Sequence, residues 1–196
     1  MTAQERLRPP GKYRLRIADY LTLVEAGAFE GQRTELIEGD VIVMSPQFRP
    51  HGMVKLELYD RLRDALRDAG SALRPVIEFS LSLADDSLPE PDILLTTEPR
   101  GEGAVPVATV ALVIEVADTT IADDLGVKAA LYARSGIPEY WVADVNARVI
   151  HQMWAPEGEA YGERREVAFG ERIAAATVEG AGGGDGGGLN RDWSGA

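Results

Sequence analysis

The 196-residue chain has no cysteine and only two histidines, His51 and His151. The first absence excludes a disulfide scaffold, a thiolate zinc site and a cysteine nucleophile. The second leaves too few imidazoles for a histidine-based metal cluster. Lysine is scarce: Lys12, Lys55 and Lys128 stand against 17 arginines. No apolar run approaches the ~20 residues of a membrane span. The N-terminal stretch lacks the apolar core of a secretory signal. A cytoplasmic protein with no membrane partner is therefore expected. There is no phosphate-binding glycine loop, since the glycines gather after Gly180, where they follow no strand and open no helix. Ser45 and Ser80 have no histidine at a suggestive position, and the HExxH spacing is missing.

What is present is an ordinary folding composition, 45% hydrophobic and 27% charged. That suits one domain with a real core. The net charge of −12 is uneven. Residues 1–16 hold five basic residues against Glu5, whereas residues 17–180 hold 14 basic and 29 acidic ones. An acidic body repels phosphate backbones at long range, which counts against avid metal-free binding of nucleic acid. It leaves open a site that gathers carboxylates around a divalent cation. The organisation expected is a flexible basic segment over 1–16, a domain over 17–178 and a disordered Gly-rich tail over 179–196.

The periodicities predict a short helix over Thr22–Phe29 and a hairpin within Glu35–Met44. Val54, Leu58, Leu62 and Leu66 recur every fourth residue, which predicts a helix over Met53–Ala69 stopped by Gly70. Strands are predicted over Leu73–Leu83, Asp92–Leu95 and Val110–Val116. A helix follows from the Asp118-Thr119-Thr120 cap to about Arg134, then strands over Glu139–Val145 and Arg148–Trp154. A helix inserted between two strands of one sheet makes a crossover. The sheet should therefore be mixed and covered on both faces.

Glu115 is the most informative residue. It interrupts the apolar run Val110–Ala117, where an unpartnered carboxylate costs several kcal/mol. Alternation places it on one face with Val113 and Ala117. The bland alternative is a strand-end glutamate that reaches solvent or an arginine. Asp92 opens the neighbouring run after Pro91, and on an adjacent strand it can approach Glu115, since paired strands lie ~4.8 Å apart. Two such carboxylates repel unless a cation sits between them or one is protonated. Hard oxygen donors of this kind suit Mg²⁺ or Mn²⁺. Pro-Asp is also a common turn dipeptide. Lys128 stands out in an arginine-biased chain, although an i,i+4 surface pair with Asp124 would explain it equally. Glu35 and Glu38 beside the hairpin read as solvated strand residues or as a further ligand. His51, just before the long helix, reads as a loop residue or a phosphate contact.

Several stretches together resemble a known family. They are Pro91-Asp92-Ile93, Leu112-Val113-Ile114-Glu115-Val116, Asp124-Leu125-Gly126-Val127-Lys128, and the run Leu131–Asp144 through Gly136-Ile137-Pro138-Glu139-Tyr140-Trp141. With Glu35–Asp40 and His51 upstream, they resemble the bacterial putative restriction endonuclease family, long catalogued as a domain of unknown function, within the PD-(D/E)XK nuclease superfamily. The resemblance spans about residues 17–155. It implies an α/β (α+β) restriction-endonuclease-like core, a mixed central sheet flanked by helices in the order αβββαβ, with an added N-terminal hairpin. It also implies Mg²⁺- or Mn²⁺-dependent hydrolysis of DNA phosphodiester bonds. Asp92, Glu115 and Lys128 would be the catalytic set, Asp92, Glu115 and Glu35 the metal ligands, and His51 a substrate contact. The superfamily's usual lysine, two residues after the glutamate, is replaced here by Ala117, and the resemblance points to Lys128 in the next helix instead.

Three readings follow from these residues. One is a metal-dependent DNA endonuclease, with DNA and a divalent metal as partners and a homodimer allowed. Another is a catalytically inactive binding or regulatory module on the same fold, suggested by the acidic surface and Ala117. The third is a metal-dependent hydrolase of small phosphate esters.

Overall fold

The computed structural model describes residues 11–178. The outer part of the expected N-terminal segment and the expected Gly-rich tail lie outside the described residues. Helix α1 covers Ile17–Glu25. It starts earlier than the apolar pattern suggests, because the Asp19 carboxylate accepts the Arg16 backbone N–H at 3.0 Å and closes the helix start. Strands β1 (Thr34–Ile37) and β2 (Asp40–Val43) form the expected hairpin. Its two-residue turn is Glu38-Gly39, both at positive φ (50° and 78°), the geometry that matches strand twist. Gly39 is required there twice over, since a Cβ would lie 2.7 Å from that of Arg14. The chain before α1 docks on this turn: Leu15 N–H donates to the Gly39 carbonyl, and Arg14 pairs with Asp40.

Helix α2 runs over Arg49–Asp68 and buries Val54, Leu58, Leu62 and Leu66, the residues of the four-residue repeat. Each such side chain contributes roughly 1.5–3 kcal/mol on burial. The helix begins four residues before the expected start at Met53, because Pro50 sits in its first turn, where a missing N–H costs nothing. His51 is therefore a buried helical residue and not a loop residue. The expected strand over Leu73–Leu83 is two strands, β3 (Arg74–Ile77) and β4 (Leu81–Ser82). The break falls at Glu78, which adopts a left-handed φ of 55° that no β-strand accommodates. Strand β5 (Ile93–Thr96) follows Asp92 directly; β6 (Val105–Pro106) pairs with β4; β7 spans Val110–Ala117.

After β7 come a short helical turn α3 (Ile121–Asp123), a π-helical segment (Asp124–Lys128) and α4 (Ala129–Arg134). Strands β8 (Glu139–Asp144), β9 (Val149–Glu157) and β10 (Ala160–Ala168) complete the fold. The main sheet has six strands in the order β10-β9-β8-β7-β5-β3. It is mixed: β7 and β8 are parallel and every other pair is antiparallel. Helix α2 packs on one face against Ile93, Leu112, Ile114 and Trp141. Ala129 and Tyr132 of α4 pack on the other face against Val113, Ala117 and Tyr140. The central strands are apolar on both faces for this reason. Among the described residues, no helix is long and apolar enough to cross a membrane.

Candidate active site

Strand pairing brings the first two candidates together. Ile93 pairs with Ile114 in an antiparallel ladder, so Asp92 falls opposite Glu115 one step along. The Asp92 backbone N–H donates to Glu115 Oε2 at 3.4 Å, and the Val116 N–H donates to Asp92 Oδ2 at 2.8 Å. Both carboxylates are buried. Asp92 has further partners from α2: His51 Nε2 lies 3.1 Å from Oδ2, and Lys55 Nζ donates to Oδ1 at 3.2 Å. Four residues separate His51 from Lys55, which sets them on one face of the helix. Gln47 also donates to Asp92 Oδ1, and Lys55 reaches Gln47 Oε1 and Glu78 Oε1, both at 2.5 Å. His51 Nδ1 is buried with no hydrogen-bond partner among the described residues.

Glu115 faces the other helix. Lys128 Nζ donates to its Oε1 at 3.0 Å, and the Tyr132 hydroxyl donates to the same oxygen at 2.8 Å. The Lys128 ammonium is also 3.4 Å from Glu35 Oε1 and 3.9 Å from Asp124 Oδ1. Thr120 Oγ1 donates to Asp124 Oδ2, and the Glu90 N–H to Glu35 Oε2. Lys128 is thus no surface partner of Asp124 alone. It stands among three buried carboxylates and does not pair with Asp92.

The two strand carboxylates have opposite electrostatics. Burial works against ionisation of Asp92, yet the His51 hydrogen bond and charge, the Val116 N–H and Lys55 outweigh it and hold the carboxyl below its ordinary value. Burial pushes Glu115 up to about 8. Lys128 opposes the rise, while Asp92, Asp124 and Glu35 add to it. Burial likewise raises Asp124. Burial pulls Lys128 down, but Glu115, Glu35 and Asp124 reverse this and keep the ammonium charged above its usual range. The Tyr132 hydroxyl, raised well above its usual range by burial, stays a neutral donor.

Glu35, His51, Asp92, Glu115, Asp124 and Lys128 line a cavity of about 610 Å³, the size of a ligand site. Seven carboxylate side chains border it, against one lysine and His51. Among the described residues, no three carboxylate or imidazole groups form a set that would hold a metal ion unaided. Mg²⁺ is usually held by one or two carboxylates together with substrate phosphates, and not by a full protein cage. Asp92 and Glu115, opposed on neighbouring strands, supply hard oxygens of the required kind, and Glu35 lies on the same ammonium. Asp92, Asp124 and Glu35 add negative charge to the burial that raises Glu115, and a dication would offset that charge.

The sequence profile of the family described as Uma2, putative restriction endonuclease, matches residues 17–182. The chain belongs to this family. Its fold matches the crystal structure of a putative nuclease belonging to DUF820 from Anabaena variabilis, with a TM-score of 0.62. That match covers 82% of this chain and 89% of the other at 16% identity, so it speaks for the architecture alone. No curated protein matches the chain.

In this member of the Uma2 family, one cavity takes in Glu35, His51, Asp92, Glu115 and Lys128. Glu35 is buried and not a solvated strand residue, whereas Glu38 lies in the exposed turn and pairs with Arg134. His51 touches Asp92 and does not sit on an open loop. Residues that the sequence did not single out also belong here: Gln47, Lys55, Glu78, Asp124 and Tyr132. Lys55 carried the same signal as Lys128, since both are rare lysines in an arginine-rich chain. Nothing local marked Tyr132, which is a core aromatic by its spacing.

Proposed function

We propose that this chain is a divalent-metal-dependent DNA endonuclease in which Asp92, Glu115 and Lys128 carry the chemistry. One observation supports the reading above the others. The Lys128 ammonium reaches the Glu115 carboxylate at 3.0 Å from a helical segment outside the sheet, while Ala117, at the superfamily's usual lysine place, packs with Tyr132 and Tyr140. Asp92 and Glu115 would hold Mg²⁺ or Mn²⁺, with Glu35 beside them, and the ion supplies Lewis-acid stabilisation of phosphoryl charge and acidifies water.

The chain's own groups have separable roles in this reading. Val116, His51 and Lys55 fix the orientation of Asp92 and keep it ionised. Tyr132 and Lys128 together orient Glu115. Lys128 keeps donors to spare for a phosphate oxygen on which charge develops. Hydrolysis forms one P–O bond from water and breaks the bond to the leaving oxygen. One water proton goes to that oxygen, and the other leaves through a carboxylate to solvent. His51 supports Asp92 in this scheme and is not the first contact of the substrate.

The test is cleavage of plasmid and oligonucleotide DNA with and without Mg²⁺ or Mn²⁺. Asp92→Ala, Glu115→Ala and Lys128→Ala should each lower the rate by ~10²–10³-fold. Chelation should abolish cleavage. A Glu115→Ala protein that cuts as fast as the parent removes Glu115 from the mechanism. A folded parent that cuts no nucleic acid with any divalent ion leaves a binding module on a nuclease fold.

A further inference from the structure

The floor of the cavity is acidic, but one wall is not. Ile42 and Val43 of β2, Phe48 before α2 and Val127 of the π-helical segment border it. They are exposed apolar side chains, Phe48 at 69%, Val43 at 57% and Val127 at 55%. Local physics does not account for Phe48. It is the N-cap of α2, a place where Ser, Thr, Asp or Asn would satisfy a free N–H, and its side chain caps nothing. Nor does it enter a core cluster. Among the described residues that border the cavity there is no arginine, although the chain holds 17.

A duplex presents a dense double row of phosphates and is held by lysine and arginine along the contact. This opening provides Lys128 alone. An unpaired base, by contrast, stacks on an aromatic ring and needs no charge to do so. We infer that the nucleic acid taken here is unpaired DNA. One nucleotide lies with its base on the Phe48–Val43 wall and its phosphate over Lys128 and the acidic floor. Base-paired DNA, which needs a row of cations along the contact, is disfavoured by a lining with one lysine and no arginine, Arg33 standing only in the adjoining cleft. This inference rests on the endonuclease reading and narrows its substrate.

The experiment compares three labelled DNAs in Mg²⁺: a short single strand, its blunt duplex, and the duplex carrying an unpaired flap. The parent should cut the single strand and the flap and leave the paired region intact. Phe48→Ala should raise KM by roughly 5- to 150-fold, the worth of one stacked base, with a smaller change in kcat, and Phe48→Trp should restore KM. A 2-aminopurine base in the single strand should lose fluorescence on binding the parent and keep it with Phe48→Ala. Because Phe48 is exposed, both variants should melt like the parent, which separates stacking from folding. Cleavage of the blunt duplex as efficient as that of the single strand, or an unchanged KM in Phe48→Ala, overturns the inference and leaves the endonuclease reading standing. If none of the three DNAs is cut, both fall.

Discussion

Asp92 and Glu115 show how one functional group, the carboxyl, is set to two states by its surroundings. Hydrogen bonds and positive charge hold Asp92 ionised, whereas Glu115, buried among like charges, is pushed up to about 8 despite Lys128. The folded protein therefore binds the Glu115 proton more tightly than the unfolded chain does. The stability this lends is full below about pH 4.5 and is lost as pH rises from there through about 8. Asp124 is shifted in the same sense, and Asp92 acts in a separate window, losing its contribution as pH falls below its ordinary 3.8. Chelated protein should lose stability, on the order of a few kcal/mol, between about pH 5 and pH 8.5. Glu115→Gln should flatten that decline, and a saturating divalent ion should oppose it. Urea midpoints at the two pH values measure this. An equal decline in Glu115→Gln and the parent would show that Glu115 is not its source.

Among the elements, the π-helical segment Asp124–Lys128 has the most to explain. A π-turn holds one more residue than an α-turn, and such insertions are uncommon and gather at functional sites. Here the segment puts Asp124 and Lys128 on the cavity while α4 keeps Ala129 and Tyr132 in the core. Removing one residue would restore α-helical winding and turn Lys128 by ~100° relative to Asp124. Deletion of Gly126, which has no neighbour within 4 Å of a notional Cβ, should leave the core helix in place and lower cleavage to the level of Lys128→Ala. Circular dichroism and cleavage rates together test it. Full activity in the deletion would show that the winding serves packing alone. Helix α2 has a comparable role on the other side, since its apolar stripe and its His51–Lys55 pair are successive faces of one rigid rod.

At the scale of the whole molecule, the charge of −12 sets how nucleic acid can be approached. Repulsion at long range must be offset locally, and the cavity itself has a carboxylate excess. Association with single-stranded DNA should be weak in chelator and more than about tenfold tighter with Ca²⁺, which takes the same oxygen ligands. Fluorescence anisotropy at physiological salt measures the difference. Binding that is equally tight in chelator would place the DNA away from the carboxylates. The inner strand β8 has another buried acid, Glu139. Its carboxylate accepts hydrogen bonds from Trp141 Nε1, Gln152 Nε2 and the Ala176 and Thr177 backbone N–H groups, and so ties Ala176 and Thr177 to the sheet. That arrangement explains a carboxylate in the Pro138-Glu139-Tyr140-Trp141 run without a catalytic role.

By itself the sequence determined the apolar scaffold and the identity of the strand acids. The four-residue repeat of α2, the hairpin around Gly39, the crossover before β8 and the oddity of Glu115 in an apolar strand are all local patterns. Periodicity and desolvation report on them directly. Only the tertiary structure decided which cation meets which acid. The Lys55 and Lys128 signals are equivalent in the chain. Strand register and the winding of two helices direct one to Asp92 and the other to Glu115. The break at Glu78, the π-turn and the burial of His51 and Glu35 were equally out of reach, because each depends on contacts between segments far apart in sequence, where local propensity has no hold.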